Sequence, residues 1–202
     1  MSASPGVVLE AALLEAPALL ERAVAYTRAS LALLPRAAPD APTPCAGWDL
    51  VRLLRHMDDA LAAFTEAAES GYVAPEGPAD EHPALLAASL RERACRLLGA
   101  WANEPGRPAV SVAGQDLDTT VLAAAGALEI AVHGWDVAQA CGEDRPLPES
   151  LAATLLAVAP LVVRAEDDRP GRFAAPYDVP PTATASERLL AFVGRRAPGA
   201  HK

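Results

Sequence analysis

Aliphatic side chains recur every three or four positions along most of the chain, the spacing that lines one side of an α-helix. Between residues 17 and 34, Leu20, Val24, Thr27, Leu31 and Leu34 keep that spacing, and Pro17 suits an opening turn. Residues 7–15 suit a short helix before it. The stretch PRAAPDAPTPCAG, residues 35–47, carries four prolines and a glycine and is predicted to be a stiff extended connector. A second helix is predicted from about Asp49 to Glu69, with Leu50, Leu53, Leu54, Met57, Leu61 and Phe64 on one stripe and Asp49 as its cap. SGYVAPEGPADE reads as a loop, and Pro83 opens a third helix to about Ala102 that buries Leu86, Leu90 and Leu97. The alternation in VSVAG, within residues 103–117, suits a short extended piece.

Asp118 is placed to cap a fourth helix closed at Gly142, a residue that accepts the left-handed conformation. Pro148 opens a fifth, which Pro160 bends or divides. Residues 165–185 read as irregular, and SERLLAFVGR as a short last helix capped by Ser186 and closed near Gly194. With 202 residues there is room for one domain, and a hydrophobic content of 51% with only 4% aromatics implies a core of small aliphatic side chains between helices. The expected fold is all-α. Its expected boundaries are an N-terminal extension over 1–16, a helical bundle over 17–195 and a disordered tail over 196–202.

Charge removes some functions from consideration. The 17 basic and 26 acidic residues leave a net charge of −9, and the arginines are scattered, so no phosphate-tracking face is expected and nucleic acid is not a partner. Cys45, Cys95 and Cys141 are an odd number without a CxxC spacing, which indicates neither a disulfide framework nor a cysteine zinc site. Glu15, Pro17, Glu129 and His133 interrupt the apolar runs below the ~20 residues of a membrane span, and MSASPGVVLE has no basic residue ahead of its apolar stretch. The expected location is cytoplasmic.

The informative anomaly lies in the fourth helix. On a helical wheel Val121, Leu122, Ala125, Leu128 and Val132 share an arc roughly 120° wide, and Glu129, His133 and Asp136 fall within it or at its margin. An inward carboxylate and imidazole need a counter-charge, hydrogen bonds or a metal to offset their lost hydration. Glu129 and His133, four residues apart, stand one above the other about 6 Å apart at Cβ and converge on one ion, or else hydrogen-bond to each other. Gly126, one turn earlier, leaves space for a ligand or a facing helix.

His56, on the border of the second helix's apolar stripe, is the natural third ligand. Two imidazoles and a carboxylate suit Zn²⁺ and are compatible with Fe²⁺, Mn²⁺ or Ni²⁺, with an open position for water or substrate. Asp136 reads as a hydrogen-bond acceptor for a ligating histidine, a catalytic proton-transfer group, or a charge paired with an arginine. Trp48 and Trp135 read as cavity walls or as packing. Cys45 reads as an inert small residue, or as a thiol with a lowered pKa if it lies at a helix N-terminus.

The segments TPCAGWDLVRLLRHM (43–57), ALEIAVHGWDVAQACG (127–142) and TATASERLLAFVGR (182–195) together resemble the actinobacterial branch of the DinB-like metal-binding proteins. That group includes mycothiol-dependent maleylpyruvate isomerase and related thiol-dependent transferases. The resemblance implies a DinB-like four-helix bundle with an additional short C-terminal helix and long Pro-rich loops. It puts the family's metal ligands on His56, Glu129 and His133, with zinc as the metal and mycothiol as cosubstrate. The expected activity is metal-dependent addition of a low-molecular-weight thiol to a small electrophile, or its isomerisation. Alternatives are a hydrolase or lyase using metal-activated water, and a non-catalytic metal- or ligand-binding protein; either a monomer or a homodimer fits.

Overall fold

The computed structural model describes residues 4–70, 83–103, 109–112, 115–163 and 173–196. Helix α1 (Pro5–Leu14) runs almost directly into α2 (Ala16–Leu31), and a 3-10 turn (Leu34–Arg36) leads into the connector. Helix α3 (Leu50–Ser70) begins where Asp49 accepts a hydrogen bond from the Arg52 amide at 2.8 Å, the cap its sequence offers. Within the connector Pro42 bridges Asp49, and Gly47 takes φ 75° to turn the chain. Helix α4 (Pro83–Asn103) follows; most of the predicted loop before it, residues 71–82, lies outside the described residues.

The expected extended piece is a hairpin of β1 (Ala109–Val112) and β2 (Gln115–Asp118), antiparallel with Val110 opposite Leu117. Asp118 then caps α5 (Thr119–Ala140) by accepting from the Thr120 amide, and Gly142 at φ 75° ends it. Helix α6 (Glu149–Val162) carries Pro160 in its last turns, where few helical bonds are lost. Helix α7 (Ala185–Phe192) is capped by Thr184, not Ser186. Thr184 and Glu187 form a reciprocal capping box, whereas the buried Ser186 hydroxyl accepts from the Leu147 amide at 3.1 Å.

Four long helices carry the centre: α2 packs along α5, α3 along α4, and the two pairs meet through α3 with α5 and α2 with α4. Leu19, Leu20, Leu53, Leu54, Leu90, Leu97 and Leu128 fill the space between them and are almost wholly shielded. The architecture exceeds the expected four helices plus one. Helix α6 packs on α7, and α1 packs on α6 and α5, so the apolar face of α5 is covered on both sides. That cover explains why α5 alone is long and apolar enough to cross a bilayer among the described residues, yet 83% of its most apolar window is buried inside the fold.

Helices α2 and α5 approach closely at Gly134. A Cβ there would overlap Thr27 Oγ1 and stand 3.0 Å from Thr27 Cα, so α2 and α5 cross at a distance only glycine permits. Thr27 Oγ1 donates to Ile130 O at 2.7 Å across that contact. Gly126, the glycine singled out by the wheel, faces the Phe64 ring at 3.5 Å, an ordinary contact. The crossing that positions His133 is therefore set one residue beyond it.

Candidate metal centre

Two remote parts of the chain supply the site. The connector and first turns of α3 bring Cys45, Trp48 and His56, while the middle of α5 brings Glu129, His133 and Asp136. His56 Nε2 or Nδ1, a Glu129 oxygen and a His133 nitrogen all lie within 4.8 Å of one another. His133 Nε2 is 3.2 Å from Glu129 Oε2, and the His56 and His133 rings meet edge to face with centroids 5.0 Å apart. His56 and Glu129 are half-buried and His133 is 4% exposed, and the two histidines line a cavity beside the cluster.

Trp48 forms the wall of that cavity: its ring stacks along His133 at 6.4 Å and meets the His56 ring edge-on at 5.0 Å. The cavity, about 180 Å³, is further lined by Pro44, Cys45, Phe173 and Arg195. Trp135 has no part in it and packs in the core at 5% exposure.

On its other edge the His133 ring is held from behind. Nδ1 lies 2.9 Å from Asp136 Oδ2, so this nitrogen donates to the carboxylate and Nε2 is the one turned to Glu129. Asp136 is wholly buried and gathers three donors: His133, the Cys45 thiol at 3.2 Å, and Arg195 Nε at 3.1 and 3.0 Å from its two oxygens. Burial alone would raise the Asp136 carboxyl; the Arg195 guanidinium and the His133 hydrogen bond outweigh it and hold the group below its ordinary value. For His133 burial likewise favours the neutral ring, and the hydrogen bonds to Asp136, Cys45 and Glu129 reverse that and push it well above the ordinary imidazole value.

A second donor set, Cys45, His133 and Asp136, shares the same histidine and is also close enough to chelate an ion. Cys45 does not carry a lowered pKa. It is 7% exposed, and burial pushes its thiol up despite the neighbouring His133, so of its two readings the thiol lowered at a helix N-terminus does not hold and the inert small residue does. Arg195 is the partner that sequence reading missed. Its signal lay in the closing segment, where Gly194 at φ 71° turns the chain immediately after α7; a Cβ there would meet Ala174 C and O at 2.6 Å, so the turn admits only glycine and delivers Arg195 into the core.

Residues 20–138 match the family described as mycothiol maleylpyruvate isomerase N-terminal domain. The chain belongs to that family. It is a DinB-like, metal-associated family, and the match spans Cys45, His56, Glu129, His133 and Asp136 but ends before Arg195. Two uncharacterized proteins from strains of Mycobacterium tuberculosis are each 27% identical over 161 residues, covering 76% of this chain and 83% of the relative. No solved structure matches significantly. For this member of the family, membership and a buried cluster able to chelate an ion support a metal-dependent catalytic protein.

Proposed function

We propose that this protein is a metal-dependent enzyme that uses a low-molecular-weight thiol, mycothiol or a close analogue, to add to or isomerise a small electrophile, with the ion held by His56, Glu129 and His133. The observation that carries the reading is the division of the His133 ring. Asp136 takes Nδ1, which leaves Nε2 facing Glu129 and His56 in a mixed imidazole and carboxylate set suited to zinc, with Ni²⁺, Fe²⁺ and Mn²⁺ also compatible. The alternative set through Cys45 fits less well. Asp136 is already saturated by Arg195 and the Cys45 thiol, and a cation there would face the guanidinium directly.

A divalent cation at this site would supply Lewis acidity, making a bound thiol acidic enough to be a nucleophile at neutral pH. The chain's own residues supply position. Asp136 acts as a positioning residue: it fixes the tautomer and tilt of His133, and Arg195 keeps it ionised in the core. Trp48 gives a flat apolar wall against which an acceptor is held and water kept away. A space of about 180 Å³ is close to the ~150 Å³ that encloses one benzene ring, so it admits the reactive end of a larger thiol and not its whole body.

The test is incubation of the zinc-loaded protein with mycothiol and a panel of electrophiles, against His133→Ala. Thiol consumption that depends on His133 is expected. Turnover without thiol would move the assignment to a hydrolase or lyase using activated water. Metal uptake with no turnover would leave a binding protein, and no uptake would mean that Glu129 and His133 are only a hydrogen-bonded core pair.

A further inference from the structure

His133 stands between two spaces. One is the chamber beside Trp48 and Cys45; the other is a smaller cleft on the opposite side, enclosed by α2, α3, α4 and α5. This second cleft has Glu129 and His133 on its wall, and otherwise Val24, Leu31, Met57, Leu61, Ala94 and Ile130 close most of it. Its one hydroxyl, Thr27 Oγ1, is committed to Ile130 O at 2.7 Å. Exposed Arg28 and half-buried Ala60 lie at its edge, so the cleft reaches solvent there.

We infer that this cleft receives a short alkyl branch of the substrate, of about one or two carbons, while the substrate's polar reacting end lies at His56, Glu129 and His133. The inference rests on the metal-centre reading above. Its volume is about 20 Å³, enough for one or two waters by size, yet a water among the aliphatic walls finds few of the two to four partners it needs. A methyl or ethyl group loses nothing there and gains contact with Met57, Leu61 and Ala94. A space of this kind in the centre of a bundle is normally closed by a larger side chain. Here Ala60 and Ala94 hold it open directly beside two residues of the proposed metal centre. The substrate class is therefore a small electrophile with a short apolar branch adjacent to its metal-directed oxygen, distinct from one that is polar at both ends.

The experiment uses the zinc-loaded full chain and a series of hydroxamates, whose head group chelates the metal and whose tail grows by one methylene at a time from acetohydroxamate to hexanohydroxamate, with Kd measured calorimetrically. Affinity is expected to rise about fourfold for the first added methylene, the factor that corresponds to ~0.8 kcal/mol per buried CH₂, and to fall once the tail exceeds the cleft. Ala94→Leu is expected to abolish the rise while the zinc content stays at the parent's level; Ala60→Val at the half-buried edge is the second variant, in case the first does not fold. Acetohydroxamate binding with no dependence on chain length, or a dependence that survives in both variants, overturns this inference alone. Absence of any hydroxamate binding to protein that retains zinc overturns the metal-centre reading and this inference together.

Discussion

The same substitution at two glycines of α5 should move stability in opposite directions. Replacing glycine by alanine inside a helix is worth up to about 1 kcal/mol, because the unfolded chain has less freedom to lose. At Gly126 the new methyl would meet only the Phe64 ring, at 3.5 Å, so most of that gain is kept. At Gly134 the methyl would overlap Thr27 Oγ1 and lie 3.0 Å from Thr27 Cα, a backbone atom that moves only if α2 moves. Overpacking of this kind costs about 1–3 kcal/mol, and displacing the Thr27 to Ile130 hydrogen bond adds a further ~0.5–1.5. The net expectation is a loss of about 0.5–3.5 kcal/mol for Gly134→Ala and a gain below about 1 for Gly126→Ala. For a chain of this size that is a melting temperature lower by about 1–14 °C in the first and higher by at most about 4 °C in the second. Reversible urea unfolding of both variants, with Gly134→Ala/Thr27→Ala as the double mutant, separates the clash from other effects, since relief by the second change appears as a coupling of ~0.5–3 kcal/mol. If Gly134→Ala is as stable as the parent, the helices do not meet there as described, and the placement of His133 loses its basis.

Further outcomes follow from the centre itself. Asp136→Asn removes the carboxylate that Arg195 Nε meets at 3.0 Å in the core and is expected to cost about 3–5 kcal/mol in urea unfolding, and to weaken zinc affinity by ~10–100-fold in chelator competition. His56→Ala and Glu129→Gln should lose zinc more severely, whereas Cys45→Ser should retain it; the reverse pattern in metal analysis would move the ion to the Cys45, His133 and Asp136 set. Under limiting alkylation followed by mass spectrometry, exposed Cys95 should react well before Cys45, whose burial raises its thiol. The Glu187 carboxyl is lowered from 4.5 by the hydrogen bonds of Thr184. Its contribution to α7 is therefore complete above the unfolded value and lost as pH falls through the lower folded one, so Glu187→Gln should be less stable than the parent at neutral pH and converge with it in acid.

What the sequence determined by itself is the set of helices and the identity of the polar residues that one helix turns inward. Periodicity, proline placement and caps are local, and Asp49, Asp118 and Gly142 act within a turn of their own position. Glu129, His133 and Asp136 were conspicuous because a charged group on an apolar face must be compensated somewhere. The compensating partner was not legible. Arg195 lies 59 residues from Asp136, and only the packing of α7 against α6 and the glycine turn after it bring the guanidinium to the carboxylate. The same holds for Gly134 over Gly126 and for the raised thiol of Cys45, whereas Thr184 over Ser186 was legible, because Thr184 and Glu187 stand at the local spacing of a capping box. The others depend on which surface happens to lie opposite, and that is a property of the assembled helices: desolvation and steric overlap arise between segments distant in sequence, where no local spacing records them.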